Sequence, residues 1–264
     1  MEMLTTNRMS ISFRIIIMDI KDKILERDRY DIVARNSISI PDYRAYPPYH
    51  IPPYQHYLGC LKSIISPSSR VLEIGSGLGL FTRELIKTDA AIVASDISGD
   101  CLEFLSSSFS HADNLETLLL DMELLNLEGT FDVICASGAL SYGDNNVVLS
   151  NIYKSLKPGG HFICVDSLDN NYIYRINRFI HFLLGERSFS TLKNMPDLDL
   201  INRYRQKFSE VEVRFFGSFC WIVPFLRPFL SSNRISIIIN SIDEFLSPRS
   251  SAFKFVMVCR KKHE

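Results

Sequence analysis

The chain has 264 residues, 46% hydrophobic and 22% charged, with 12 glycines, 11 prolines and a formal net charge of -1. This composition excludes a disordered or fibrous chain and supplies a sizeable core, in one elaborated α/β domain or two small ones. With 29 basic against 30 acidic residues there is no strong field to draw in a polyanion, so nucleic acid is not an expected partner.

Near the N-terminus Arg8 precedes Ile11-Ser12-Phe13-Arg14-Ile15-Ile16-Ile17. Arg14 interrupts this run and no small-residue cleavage site follows, so it does not read as a signal peptide. Met18, which opens a more ordinary polar segment, is an alternative start. Residues 41–54 hold five of the eleven prolines and the tyrosines Tyr43, Tyr46, Tyr49 and Tyr54. That composition predicts an extended or turn-rich lid rather than a helix. Residues 1–67 as a whole read as an N-terminal extension with a helical and Tyr-Pro-rich lid, Tyr54, His50 and His56 being placed to close over a substrate.

From Arg70 onward, short apolar runs alternate with helix-like stretches, the pattern of a parallel sheet wound on both faces. The predicted strands are Arg70 to Ile74, Ala91 to Ser95, Glu116 to Leu120, Phe131 to Ala136 and Gly160 to Asp166. Helices are predicted near 79–87, 99–109 and 145–156, and Lys157-Pro158-Gly159-Gly160 stops the last of them. His161 begins the fifth strand, at the edge opposite a ligand, which marks it as structural. Two further strand-like runs, Val211 to Gly217 and Phe253 to Arg260, follow insertions at 168–208 and 218–249.

The second insertion contains Phe219 to Leu226, eight residues, against the roughly 20 needed to span a bilayer. It reads as core or oligomer interface, with membrane-surface contact as the sharper alternative; Arg227 and Arg234 would then lie near headgroups. The six cysteines are scattered, without metal-ligand spacing, and read as buried thiols of a reducing, cytoplasmic compartment.

The first strand runs into Glu73-Ile74-Gly75-Ser76-Gly77-Leu78-Gly79, a glycine-rich turn through which a backbone can approach a ligand closely. Ligands of open α/β sheets sit outside the C-terminal strand ends. There the second strand delivers Asp96 and Ile97, with Asp96 standing 21 residues after Gly75, the spacing of an acid that grips ribose hydroxyls. The third delivers Asp121, an acceptor for an exocyclic amine, and Met122, able to lie on an adenine face. The fourth ends in Ser137-Gly138-Ala139-Leu140 and the fifth in Asp166-Ser167, so five edges converge on one adenosine-sized site.

This combination resembles the class I S-adenosylmethionine-dependent methyltransferases over about residues 68–167. Glu73-x-Gly75-x-Gly77-x-Gly79 is similar to the family's first motif, Asp96 to its ribose-binding acid, and Asp121 to its adenine-side acid. Phe131-Asp132-Val133-Ile134 and Leu156-Lys157-Pro158-Gly159-Gly160 are similar to its fourth strand and the lead into its fifth. The resemblance implies a Rossmann-like, seven-stranded doubly wound sheet with an antiparallel last strand over 68–264. It also implies S-adenosylmethionine as cofactor, contacted by the glycine turn with Ser76 and by Asp96, Ile97, Asp121, Met122 and Ser137. A nicotinamide-dependent oxidoreductase shares the turn and the acid, although its Gly-x-Gly-x-x-Gly pattern needs glycine where Leu80 stands. A noncatalytic adenosine-binding protein is the third reading.

For the acceptor, Ser137-Gly138-Ala139-Leu140 is neither the Asn/Asp-Pro-Pro-aromatic motif of amino-group methylases nor an acidic metal-binding edge, which favours a small molecule and no metal. On 172–184 the apolar positions 173, 176, 180 and 183 or 184 form one helical stripe, and Arg178 and His181 share another face, either a solvated basic face or a substrate face. His181 and Asp166 are the candidate bases; Tyr54, Tyr142, Arg178 and His181 are the candidate substrate contacts. Seven basic against three acidic residues over 170–207 point to an anionic acceptor. The insertion is also similar to that of methyltransferases of bacterial surface-polysaccharide biosynthesis, which implies a sugar hydroxyl on a nucleotide-linked or lipid-linked precursor.

Overall fold

The computed structural model describes residues 20–246 and 249–263; the apolar run at 11–17 and the alternative start at Met18 lie outside them. Seven strands form one sheet in the order β3-β2-β1-β4-β5-β7-β6. They are β1 (Arg70–Ile74), β2 (Ala91–Asp96), β3 (Leu115–Leu119), β4 (Phe131–Ser137), β5 (Leu156–Ser167), β6 (Glu210–Phe216) and β7 (Lys254–Arg260). The first five are mutually parallel, and β7 runs antiparallel to both β5 and β6. The central strands β1, β2, β4 and β5 are buried on both faces, which is why they read as continuous apolar runs.

The seven strands start within two residues of their expected positions, except β5. Leu156 already pairs with Phe131, and the ladder then slips a register before His161 meets Val133. The Lys-Pro-Gly-Gly segment is therefore a bulge within a strand, its Gly159 at φ +74°. The helix expected over 79–87 is one short piece, α3 (Thr82–Leu85), continued by a 3-10 turn at Ile86–Thr88. By contrast α4 (Gly99–Ser108) and α5 (Asn145–Ser155) match their expected spans, each with a side-chain N-cap, Ser98 and Asp144.

The N-terminal part departs most from expectation. A helix over residues 20–35, α1, lies along the C-terminal edge of the sheet, where Asp22, Lys23, Glu26 and Tyr30 face the strand ends. Pro52 and Pro53 do not prevent α2 (Pro52–Ile64), because proline is tolerated in a helix's first turn. Tyr57, Leu58 and Leu61 of α2 pack against β4, β5 and β7 within one of the two main cores. Residues 43–50 form two 3-10 turns whose aromatic side chains anchor rather than hover. Tyr54 packs on Phe81 at 5.6 Å between ring centroids, and His50 lies against Tyr49 and Phe253.

Segment 168–208 folds into α6 (Tyr172–Leu183), α7 (Phe189–Lys193) and α8 (Leu198–Lys207). Segment 218–249 contains α9 (Val223–Leu226) and α10 (Ser232–Leu246), whose Val223, Ile235 and Ile239 are buried with Tyr49 and Tyr174 while Phe225, Phe229 and Ile237 face outward. Among the described residues no helix is long and apolar enough to cross a membrane. All six cysteines are free thiols.

Candidate active site

The glycine turn after β1 is shaped by close approach. Gly75 has φ +67°, and a Cβ there would lie 2.8 Å from Ala139 Cβ, so the turns after β1 and β4 nearly touch. Gly77, at φ +51°, has nothing within 4 Å of its Cβ position and borders a cavity at the C-terminal strand ends. Asp96 sits across that turn. Its Oδ2 accepts the Gly77 N–H at 2.8 Å and its Oδ1 the Ser98 N–H at 2.9 Å. A carboxylate has about four acceptor positions, so the backbone does not exhaust those of Asp96. Burial raises the Asp96 carboxyl above the usual carboxylate range, and the backbone hydrogen bonds oppose that rise.

On the opposite wall, Met122 is buried against Gly143, where a Cβ would come within 2.9 Å of Met122 Cε. Asp121 accepts from its neighbour Glu123 N–H at 2.9 Å and receives Lys23 Nζ of α1 at 2.6 Å. Ile97 and Ser137 also border the cavity. The carboxylates of Asp96 and Asp121, the Met122 thioether and a glycine floor that a Cβ would fill are groups that suit an adenosyl group. Among the described residues no cluster of His, Cys, Asp and Glu is arranged to hold a metal.

Three residues expected at the cofactor, Glu73, Ser76 and Gly79, are not in the lining of this cavity. Glu73 is 3% exposed, accepts from Thr82 Oγ1 at 2.5 Å, and is pushed up to about 8 by burial. It does not line the cavity, and its burial favours the protonated form. Ser76 is buried and its Oγ has no hydrogen-bond partner. Gly79 (φ +82°) serves packing: a Cβ there would meet Phe109 Cε2 of the α4 C-cap at 2.9 Å.

A second cavity adjoins the first, and the two share Glu26, Tyr142 and Thr191 in their linings. Tyr142 is held there by a hydrogen bond to Tyr30 Oη at 2.9 Å, and burial keeps both phenols protonated. The second cavity brings together His181 and Arg178, so this face of α6 turns inward while Ile173, Ile176, Ile180, Leu183 and Leu184 face out. His181 Nδ1 is hydrogen-bonded to Glu186 Oε2. Arg178 is buried and donates to Asp169 at 2.8 Å and to the Leu168 carbonyl at 3.1 Å.

Asp166 and Tyr54 border neither cavity. Asp166 is 2% exposed, and its oxygens accept the Leu140 N–H at 3.0 Å and the Ser167 N–H at 2.7 Å. It therefore fixes the turn that carries Tyr142 and is not placed to take a substrate proton. Tyr54 belongs to the aromatic cluster over Phe81. Conversely, α1, Glu186 and Thr191 were not legible as site residues, because long-range contacts place them: Ser188 N–H donates to Glu26 and Ser190 N–H to Asp22.

Residues 72–162 match the family described as a methyltransferase domain. The chain is 38% identical over 98 residues to the biotin biosynthesis bifunctional protein BioCD of Bordetella avium, covering 35% of this chain and 20% of that protein. It is 26% identical over 144 residues to malonyl-[acyl-carrier protein] O-methyltransferase 1 of Ilyobacter polytropus, covering 54% and 48%. The matches thus span less than half the length of these curated relatives. Among solved structures, N-methyltransferase NodS of Bradyrhizobium japonicum in complex with S-adenosylhomocysteine has a TM-score of 0.60 at 16% identity, covering 91% of this chain and 98% of that one. At that identity the likeness is one of fold, and the fold is the seven-stranded sheet with its antiparallel β7.

Proposed function

We propose that the chain, whose residues 72–162 match a methyltransferase domain, is a class I S-adenosylmethionine-dependent methyltransferase that moves a methyl group from S-adenosylmethionine in the first cavity to an oxygen of a small molecule in the second. The observation that carries this reading is the shared lining of the two cavities, Glu26, Tyr142 and Thr191, which sets a donor pocket beside an acceptor pocket. When bound, S-adenosylmethionine supplies an electrophilic methyl on a sulfonium.

The chain's own groups supply position and proton management. Gly75, Gly77 and Asp96 seat the adenosyl part, and α1 roofs it, shielding the reacting atoms from water. His181 is the proposed base for a hydroxyl acceptor. Because a carboxylate only accepts, Glu186 fixes the proton on Nδ1 and leaves Nε2 to take the acceptor's proton. The reading the sequence favours is a sugar hydroxyl on an anionic, nucleotide-linked or lipid-linked precursor. A second reading takes its support from the relatives named as malonyl-[acyl-carrier protein] O-methyltransferases: a carboxylate acceptor, already deprotonated and needing no base.

The test is calorimetric titration of the protein with S-adenosylmethionine, S-adenosylhomocysteine and NAD, alongside Asp96→Ala. Binding of both sulfur nucleotides, weakened about tenfold or more in the variant as expected for lost hydrogen bonds to a charged group, supports the methyltransferase. Binding of NAD alone would overturn it in favour of the oxidoreductase. Sulfur-nucleotide binding without turnover on any acceptor would favour the noncatalytic reading.

A further inference from the structure

Three guanidinium groups border the second cavity, those of Arg29, Arg178 and Arg187. Two are matched within the protein. Arg29 donates to Glu26 at 3.0 Å and to the Gly185 carbonyl at 3.3 Å, and Arg178 is held by Asp169 and the Leu168 carbonyl. The carboxylates of the wall are committed as well: Glu26 takes Arg29 and the Ser188 N–H, and Glu186 takes His181. Arg187 is left over. It is half-buried and forms no hydrogen bond or ion pair among the described residues.

Its charge acts on a like-charged neighbour across the same cavity. Burial lowers the Arg178 guanidinium below its ordinary value; Asp169 opposes that shift, and the Arg187 charge adds to it. Two guanidinium groups facing one concave, partly desolvated space give a positive field that an anion relieves, and their planar forks match carboxylate and phosphate oxygens.

We propose that the second cavity is an anion seat in which Arg187, backed by Arg178, holds a carboxylate or phosphate group of the methyl acceptor. Calling the ligand an acceptor rests on the methyltransferase reading; the anion seat itself does not. An anion fixed at Arg187 orients the rest of the molecule toward the wall shared with the first cavity, beside His181.

The test titrates the full chain, at low ionic strength so that screening does not hide the effect, with inorganic phosphate and separately with malonate. S-adenosylhomocysteine is titrated in parallel, and all three are repeated on Arg187→Gln and Arg187→Lys. The expected result is saturable binding of at least one anion, weakened about tenfold or more in Arg187→Gln and less in Arg187→Lys, which keeps the charge without the fork, while S-adenosylhomocysteine affinity is unchanged. A preference for phosphate identifies a phosphate-linked acceptor, and a preference for malonate a carboxylate one. No saturable anion binding, or equal binding in Arg187→Gln, overturns the proposal. If Arg187→Gln also loses S-adenosylhomocysteine, it has misfolded and Arg187→Lys decides: weaker anion binding supports the seat, equal binding overturns it. Anion binding as expected with no S-adenosylhomocysteine binding to the wild type keeps the seat and removes the methyltransferase reading.

Discussion

Lys23 Nζ lies 2.6 Å from Asp121 Oδ2 and 2.7 Å from Glu123 Oε2, so α1 is fastened across the cofactor cleft by the carboxylate that the sequence offers to an adenine amine. Tyr30 to Tyr142 and Glu26 to Ser188 add further fasteners along the same helix. With α1 residues lining the cavity, exchange of a bound nucleotide is expected to depend on movement of this helix. The Lys23 pair is about one-fifth exposed, so its worth is about 1 kcal/mol or less. Lys23→Met is therefore expected to speed both association and dissociation of S-adenosylhomocysteine about two- to fivefold with little change in affinity. Stopped-flow fluorescence checks this; unchanged rates would mean that α1 is not the gate.

Gly77 and Gly79 have similar positive φ values but different surroundings, which separates a ligand glycine from a packing glycine. An alanine at either position carries about 1–2 kcal/mol of left-handed strain. At Gly79 the new methyl also meets Phe109, adding about 1–3 kcal/mol of overpacking. Gly79→Ala should lower the denaturation midpoint more than Gly77→Ala, whereas Gly77→Ala should cost more of the S-adenosylhomocysteine affinity. The reverse order in calorimetry would place the ligand elsewhere.

Glu73 makes stability depend on pH in a defined direction. Burial lifts its carboxyl from the ordinary 4.5 to about 8, so the folded state holds a proton that the unfolded chain has released. This contribution is fully present below about 4.5 and is lost as pH rises through about 8, on the order of a few kcal/mol. Glu73→Gln keeps an acceptor for Thr82 and removes the titration. Its unfolding free energy should fall less than the wild type's between pH 5 and pH 8. Parallel curves for the two proteins would refute the assignment.

The sheet was legible because each strand's apolar run is set by burial on both faces, and the cofactor edge because Gly75, Gly77, Asp96 and Asp121 lie at fixed offsets from those runs. The acceptor side was half legible. Arg178 and His181 share a helix face whatever the tertiary structure, but which face of α6 turns inward depends on Asp169, Glu186 and Tyr174, whose partners are not periodic in sequence. The exposed apolar stripe of α6 shows the limit of the rule that apolar faces turn to the core. The turn-rich reading of 41–54 holds for Tyr43–Ala45 and Pro48–His50 and gives way only at its end, where α2 begins. Proline density marks Pro52 and Pro53 equally well as a turn or as a helix start, and only the burial of Tyr57 and Leu61 selects the latter.

The hydrogen bond between His181 and Glu186 makes the two acceptor chemistries separable by experiment. Nitrogen NMR should show the neutral His181 ring protonated at Nδ1, and Glu186→Gln should shift that population toward Nε2, because an amide no longer demands a donor. With a hydroxyl acceptor, His181→Gln should lower kcat about 10²–10⁴-fold at nearly constant KM, the scale of a lost general base. With a carboxylate acceptor the same substitution leaves kcat within about threefold, since no proton has to leave before the methyl is attacked. A hydroxyl acceptor turned over at full rate by His181→Gln would remove His181 from the chemistry and leave it as a wall of the anion seat.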